Sequence, residues 1–158
     1  VETSDGRIIA HIRNDNEANR REILQSESDD GGRTWSTPHP IGVWGFPSHL
    51  LRLRDGRLVM SYGHRRRPLG NQARVSEDHG RTWSEAMIVS GDGTSSDIGY
   101  PSTVELDDGS LLTVWYELMG SLPEDFSHYL EQSRDEAWFK MTRSVPRAVL
   151  RQARWSIR

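Results

Sequence analysis

The sequence has 158 residues with a formal net charge of −3, six histidines and no cysteine. This length favours one domain, and the small net charge gives no global field that would attract nucleic acid or an anionic membrane. Disulfides and thiolate metal sites are excluded, and no apolar run approaches the roughly 20 residues that a membrane-spanning helix needs.

Three Asp-Gly pairs, at residues 5–6, 55–56 and 108–109, each lie between apolar or alternating segments. Each pair predicts a β-hairpin, because Asp-Gly supplies the positive φ angles that a tight turn demands. The pairs are 50 and 53 residues apart. A repeat of this length indicates blades or solenoid units.

Two copies of a tryptophan motif, SESDDGGRTW and SEDHGRTW, follow the first two hairpins with an offset of 48 residues. Their matching residues are Ser28, Asp30, Gly32, Thr34 and Trp35 in the first copy and Ser76, Asp78, Gly80, Thr82 and Trp83 in the second. The motif predicts a structural turn in which the aspartate accepts backbone hydrogen bonds and the indole caps the apolar interior of its own unit. The motif is too short for a calcium loop and the histidines show no metal-ligand spacing, so we expect no metal or cofactor.

The second unit contains four short segments with strand patterns, which is the composition of a β-propeller blade. The first blade, residues 1–45, is expected to lack its first strand because too few residues precede its turn. The second blade spans 46–91 and the third 98–158. The predicted fold is therefore all-β, a partial propeller of about three four-stranded antiparallel blades in one domain, residues 1–158.

The third blade carries an insertion. The segment RQARWSI repeats NQARVSE after 80 residues instead of about 50, which places roughly 30 extra residues at about 119–146, between the second and third strands. Ser121 and Glu124 have capping-box spacing and Pro123 falls in the first turn, so one helix is expected there. An alternative interpretation treats SRDEAW as an eroded third copy of the tryptophan motif, but the QARWS match disfavours it.

The motif S-x-D-x-G-x-T-W resembles the Asp box, or bacterial neuraminidase repeat, of the sialidase-like six-bladed propellers. The resemblance covers nearly the whole chain except the insertion. It implies a complete propeller about twice this length, of which this chain is the C-terminal half. The motif is specific for the fold and less so for activity, since non-enzymatic receptors and assembly factors carry it as well.

Sialidases of this family share three arginines that hold the sugar carboxylate, a tyrosine nucleophile assisted by a glutamate, and an aspartate that acts as acid and base. Guanidinium pairs with carboxylate through two parallel hydrogen bonds, which fixes an anionic sugar in one pose. A neutral phenol attacks the anionic anomeric centre without the repulsion that a carboxylate would meet. Because the pKa of a phenol is near 10, it needs a neighbouring base.

The segment GYPSTVELDDGSLLTVWYE resembles the family segment that carries the nucleophile, so the resemblance implies this role for Tyr100. Pro101 departs from the serine that many sialidases have, which leaves the activity open. The alternative is a tyrosine that simply packs at the start of a strand. Glu117, at the end of the same segment, is expected to be structural or to face the rim.

The segment RIIAHIRND resembles the family strand that ends in a triad arginine, which implies this role for Arg13. In SYGHRRRPLG, Arg65 fits another triad position, with Arg66 or Arg67 as alternatives and a solvated surface run as the competing interpretation. The chain leaves second strands and enters first strands at the same end of an antiparallel blade. We therefore expect Arg13, Arg65 and Tyr100 at one end of the propeller.

The remaining triad arginine, the acid/base aspartate and the assisting glutamate belong, by resemblance, to blades that this sequence does not contain. The first interpretation is a fragment of a sialidase-like glycoside hydrolase that removes terminal acidic sugars from glycans, inactive by itself. The alternative is a non-catalytic Asp-box propeller that binds carbohydrate or protein, and a third is a degenerate reading frame that folds poorly. Exposed blade edges also predict self-association, while the cellular compartment stays open.

Overall fold

The computed structural model describes residues 1–16, 22–119 and 147–157, and this part of the chain forms ten β-strands and no helix. The strands are β1 (Ile8–Ile12), β2 (Glu22–Ser28), β3 (His39–Trp44), β4 (Ser48–Arg52), β5 (Leu58–His64), β6 (Gly70–Ser76), β7 (Met87–Ser90), β8 (Ile98–Glu105), β9 (Leu111–Met119) and β10 (Arg147–Trp155).

The strands form three open antiparallel sheets. Sheet 1 has the order β1-β2-β3, sheet 2 the order β4-β5-β6-β7, and sheet 3 the order β10-β9-β8. The all-β partial propeller is thus confirmed, while its division at residues 45, 91 and 98 stays a prediction. Sheet 3 shows three strands among the described residues instead of the expected four, because β10 continues to Trp155 and only two described residues follow. The helix predicted in the insertion, and the alternative third motif, lie outside the described residues.

The three Asp-Gly hairpins close in the same way. Gly6, Gly56 and Gly109 have φ angles of 84°, 91° and 79°. Each of these glycines donates its backbone N–H to the carbonyl three residues earlier, over 2.9–3.1 Å. In the first unit the arm before the turn is reduced to one bridge, Glu2 to Ile8. The turn residues therefore form hairpins at all three predicted places.

Strand β10 occupies the position in sheet 3 that β6 has in sheet 2. Ala73 pairs with Ser61 across β6 and β5, and Ala153 pairs with Thr113 across β10 and β9. The repeated Gln-Ala-Arg segment thus marks the third strand of each sheet. The insertion accordingly falls between the second and third strands of sheet 3, as the sequence predicts.

Sheet 2 lies between the other two sheets, and its two faces are both covered. Ile23 and Val43 of sheet 1 pack with Met60 and Tyr62 of sheet 2 in one apolar cluster. Leu111 of sheet 3 joins a second cluster with the sheet 2 residues Leu53, Val59, Ala73 and Val75. Residues 58–63 of β5 are all buried as a result, which explains the continuous run LVMSY in place of an alternating pattern.

The turns of both tryptophan motifs are closed by their aspartates. The Asp30 carboxylate accepts hydrogen bonds from the Thr34 hydroxyl at 2.7 Å and backbone N–H at 2.9 Å, and from the Ser28 hydroxyl at 2.9 Å. These bonds lower the pKa of Asp30 to about 2. Burial raises the pKa of Asp78, but the bonds from Thr82 and Ser76 outweigh it and leave that pKa at about 2 as well. Both carboxylates are charged at neutral pH.

The second motif is gripped by sheet 1. Arg7 donates to the carbonyl of His79 at 2.6 Å, and the Gln25 side-chain N–H donates to the carbonyl of Gly80 at 2.9 Å. The Trp83 indole N–H donates to the Gln25 oxygen at 3.4 Å. The indole packs against Met60 and Tyr62 of its own sheet and against Ile23 and Val43 of sheet 1, and we refer to this set of contacts as the sheet 1–2 joint.

Trp35, the equivalent residue of the first motif, is 45% exposed. Its indole N–H donates to the carbonyl of Gly32 within its own turn, at 3.1 Å. The described residues place no sheet on the outer side of sheet 1, so this ring has no neighbouring sheet to contact. The two copies of one motif therefore contribute differently to stability.

We predict that Trp83→Ala lowers the free energy of unfolding by about 3 kcal/mol, because it removes apolar contacts and a hydrogen bond from the sheet 1–2 joint. The matched variant Trp35→Ala should cost less than about 1 kcal/mol, since that ring is already half in solvent. Urea unfolding followed by circular dichroism measures both. Equal losses of unfolding free energy in the two variants would show that Trp83 does not stabilise the contact between sheets 1 and 2.

His11 lies within the same joint and is neutral. Its Nε2 is 3.0 Å from the Gln25 side-chain oxygen and its Nδ1 is 3.2 Å from the Ser48 hydroxyl. The ring meets Trp83 edge-on with a centroid distance of 5.4 Å. Burial lowers the pKa of His11 from 6.5 to about 4. A charged imidazole is therefore disfavoured between these sheets.

We predict that stability falls as the pH is lowered from 6.5 to 4, because the unfolded chain then binds a proton at His11 that the folded chain excludes. The loss reaches about 3 kcal/mol near pH 4. His11→Gln should flatten this part of the profile. Unfolding free energies measured from pH 7.5 to 4 for both proteins test this, and superimposable slopes would refute the assignment.

Candidate functional site

The candidate site residues lie at one end of the sheets, which we call the arginine end. Arg13 follows β1, and Arg65 follows β5. Strand β4 begins at this end with Ser48, and Tyr100 is the third residue of β8. Because neighbouring strands are antiparallel, the loops that leave second strands and enter first strands meet here. The tryptophan motifs lie at the opposite end, after β2 and β6.

A glycine contact holds two corners of the arginine end together. Phe46 donates its backbone N–H to the carbonyl of Gly63 at 3.0 Å. A Cβ atom on Gly63 would lie 2.9 Å from the carbonyl oxygen of Phe46 and 3.1 Å from the Cα of Gly99. The corner before β4 and the corner before β8 therefore meet at Gly63, where only glycine leaves room for both.

These two corners share a short sequence motif. Gly45-Phe46-Pro47-Ser48 and Gly99-Tyr100-Pro101-Ser102 match at three of four positions, 54 residues apart. Phe46 is thus the counterpart of Tyr100 in the preceding sheet. The two rings differ in exposure, since Phe46 is 8% exposed and Tyr100 is 57% exposed. Tyr100 also has a φ angle of 52°, a conformation that costs a non-glycine residue of order 1 kcal/mol or more.

Arg13 and Arg65 converge on the Phe46 ring. Their Cζ atoms lie 4.7 Å and 5.4 Å from its centroid. Arg65 also donates from Nε to the carbonyl of Ile98 at 3.0 Å, two residues before Tyr100. Arg13 forms two hydrogen bonds with the exposed Asp15 carboxylate, at 3.0 and 3.3 Å. The two candidate arginines come from different sheets and contact the same aromatic ring.

Arg66 lies beside this pair without sharing its ring. Its Cζ is 3.8 Å from the centroid of Trp44, and the Trp44 ring meets Phe46 edge-on at 5.7 Å. Arg67 is exposed. The arginine run thus does not behave as one solvated stretch, because its first two members lie over aromatic rings.

A second tyrosine, which the sequence analysis did not single out, accompanies Tyr100. The rings of Tyr100 and Tyr116 have a centroid distance of 5.6 Å. The Tyr116 hydroxyl donates to the Asp97 carboxylate. Burial, with this hydrogen bond, raises the pKa of Tyr116 to about 12, and the charge of Arg65 opposes the rise. Tyr116 therefore stays protonated at neutral pH and holds Asp97 beside the candidate nucleophile.

Glu117 does not face the rim, contrary to one of the two expectations for it. Its side chain is fully buried and accepts hydrogen bonds from Arg151 at 2.8 Å and from the backbone N–H of Thr94 at 3.1 Å. Arg151 also pairs with Asp92 at 2.8 Å. Glu117, in β9, thus connects β10 and the loop before β8 to the centre of sheet 3. That loop carries Asp97, so the buried pair fixes the position of this residue.

The described ranges contain no cluster of three or more histidine, aspartate or glutamate side chains arranged for a metal ion. The same ranges contain no helix with the length and apolar character that a bilayer crossing requires. The groups that the described residues place at the arginine end are guanidinium groups, phenols and the carboxylates of Asp15 and Asp97.

Comparison with known proteins establishes the family. Residues 1–113 match the model of the BNR repeat-like domain, and the chain belongs to this family of sialidase-like Asp-box proteins. A solved structure of a protein of unknown function from Dyadobacter fermentans DSM 18053 is similar over 100% of this chain, with 27% sequence identity and a TM-score of 0.73. The chain spans 37% of the length of that protein. No curated protein matches the chain.

We predict that Gly63→Ala disturbs the arginine end and lowers the free energy of unfolding by about 1–3 kcal/mol, because the added methyl group meets backbone atoms of both corners. Gly91→Ala is the matched control, since its Cβ would meet nothing closer than 3.4 Å. Denaturant unfolding of both variants measures the difference. A Gly63→Ala variant as stable as the control would show that the corners do not touch.

Proposed function

We propose that this chain contributes part of the active site of a sialidase-type glycoside hydrolase that removes terminal acidic sugars from glycans. The observation that carries the proposal is the placement of Arg13, Arg65 and the exposed Tyr100 at one end of the sheets, with Arg65 bonded to the backbone of the strand that carries Tyr100. Membership in a family of Asp-box proteins supports the same proposal.

The proposed chemistry assigns each group a role that its surroundings allow. Arg13 and Arg65 bind the carboxylate of the sugar, since the fork of donors on a guanidinium matches two carboxylate oxygens. The Tyr100 oxygen attacks the anomeric carbon, the bond to the leaving glycan oxygen breaks, and water later releases the sugar with retained configuration. Because 57% of Tyr100 is exposed, a substrate can reach it.

The reaction also needs a proton donor for the leaving oxygen and a base for the tyrosine. In sialidases an aspartate and a glutamate supply these functions, and neither maps onto a residue of this chain. We therefore place both groups, and the remaining triad arginine, in the rest of the protein. Asp97 is the described carboxylate nearest in sequence to Tyr100, but its oxygen is already engaged by the Tyr116 hydroxyl.

A second candidate function is a non-catalytic propeller that binds acidic carbohydrate. Within the described ranges, no carboxylate forms a hydrogen bond with the Tyr100 hydroxyl, and Pro101 replaces the serine of many sialidases. The second observation favours binding without turnover, whereas the first is expected of either candidate, since the assisting glutamate maps outside this chain. The two candidates share the arginine end and differ in whether Tyr100 forms a bond to the sugar.

Self-association is a separate proposal about partners. Three apolar side chains on the outward face of sheet 3 are exposed, namely Val104 at 50%, Val114 at 41% and Leu150 at 86%. A contiguous apolar sheet face of this kind is a common site of protein contacts. It supports association of this chain with another sheet, whether from the same propeller or from a second copy.

We predict that the full-length gene product hydrolyses a fluorogenic sialoside and that Tyr100→Phe reduces kcat roughly a hundredfold or more, because the nucleophilic oxygen is lost. Binding of free sialic acid, measured by calorimetry, should persist in this variant, since the arginines are intact. Circular dichroism checks that both proteins are folded.

The outcomes separate the two candidates. Turnover that survives Tyr100→Phe would remove the nucleophile assignment. Sialic acid binding by the parent protein without any turnover would select the binding propeller. A parent protein that neither binds nor hydrolyses the sugar would overturn both.

A further inference from the structure

We infer that Phe46 is a positioning residue, whose ring holds Arg13 and Arg65 together as one binding site for a carboxylate. The inference deepens the proposed function and rests on it for the identity of the ligand. The ring is not a catalytic residue, because its role is exerted through the two guanidinium groups.

The two guanidinium groups carry like charges and repel one another, so an additional contact is needed to keep them close together. Arg13 leaves sheet 1 and Arg65 leaves sheet 2, so no backbone hydrogen bond of a shared strand fixes their separation. The face of an aromatic ring carries partial negative charge and attracts a cation within about 6 Å of its centroid. Both Cζ atoms lie within this range, at 4.7 Å and 5.4 Å. One ring therefore offsets part of the repulsion between two cations.

The Phe46 ring is itself held firmly. It is 8% exposed, and its backbone N–H is bonded to Gly63. A Cβ atom at position 45 would collide with the Tyr62 ring, so the chain enters this corner through glycine, with a φ angle of 151°. The edge of Trp44 closes another side at 5.7 Å. A ring confined in this way can define where two flexible side chains lie.

Trp44 repeats the arrangement for a third cation. Arg66 lies 3.8 Å from its ring centroid, and His64 meets the same ring edge-on at 5.7 Å. The two rings of the Trp44–Phe46 pair thus each attract cations, Phe46 contacting Arg13 and Arg65 and Trp44 contacting Arg66. Positive charges gathered in this way suit an anion whose charge lies on planar oxygens, as in a sugar carboxylate.

The internal repeat places two different rings at equivalent corners. Phe46 and Tyr100 occupy these corners, and only Tyr100 carries a hydroxyl. The ring at position 46 contacts two guanidinium groups, whereas the ring at position 100 is exposed to solvent. The same corner therefore holds the cations in sheet 2 and presents the phenol in sheet 3.

Asp15 pairs with one of the two arginines, Arg13. Its carboxylate forms two hydrogen bonds with Arg13 and is 65% exposed, so the contact is a surface ion pair of little strength. A ligand carboxylate can replace it with the same geometry. Arg65 is fixed from the other side by its bond from Nε to the carbonyl of Ile98.

The first test compares Phe46→Leu with Phe46→Tyr in the full-length protein, using N-acetylneuraminic acid and its neutral methyl ester as probes. Phe46→Leu should weaken binding of the acid about tenfold and leave ester binding unchanged, because the aromatic ring that attracts the two cations is lost. Phe46→Tyr keeps the ring and should restore acid binding. Urea unfolding verifies that both variants fold.

The second test needs no sugar. The Nε–H resonances of Arg13 and Arg65 should both shift in Phe46→Leu, because each loses the ring current of Phe46, and both should stay close to their parent positions in Phe46→Tyr. Unshifted resonances, or acid binding unchanged in Phe46→Leu, would overturn the positioning role while the hydrolase proposal stands. Shifted resonances in a protein without sialoside turnover would support the positioning role of Phe46 and reject the hydrolase.

Discussion

The grip of sheet 1 on the turn of the second tryptophan motif is the contact on which the arrangement of the sheets depends. Arg7 and Gln25 donate to carbonyls of that turn, and Trp83 returns a hydrogen bond to Gln25. The angle between sheets 1 and 2 follows from these bonds together with the apolar cluster beneath them. That angle decides whether Arg13, at the opposite end of sheet 1, reaches the ring that Arg65 contacts.

The tryptophan motifs and the candidate site thus lie at opposite ends of the same sheets. The motif end contains carboxylates with a pKa of about 2 that accept hydrogen bonds within their own turns. The arginine end contains positive charges over aromatic rings and an exposed phenol. Because the hydrogen bonds of the motif turns stabilise the sheets at one end, the loops at the arginine end can vary in sequence without loss of the fold. Loops of this kind commonly carry binding residues.

The sequence predicted the parts of this structure that local chemistry determines. Asp-Gly pairs formed the hairpins, and the Gln-Ala-Arg repeat located the third strand of sheet 3, because both depend on a few neighbouring residues. It did not predict the bond between Glu117 and Arg151, or that between Tyr116 and Asp97, since each joins residues far apart in the chain. The role of Phe46 was also missed, although its match to the corner of Tyr100 was present in the sequence.

The two equivalent corners at the arginine end differ in backbone conformation, and this difference accompanies the different exposure of their rings. Gly99 enters its corner with a φ angle of 141° and packs against Gly63, and the next residue, Tyr100, then takes a positive φ. Phe46 follows a similar glycine without a positive φ, and its ring turns into the interior. The sign of one dihedral angle therefore makes one ring a buried support and the other a group within reach of solvent. Glycine at position 100 would adopt the same backbone at lower cost. The strained backbone of Tyr100 thus coincides with a ring that is 57% exposed at the arginine end.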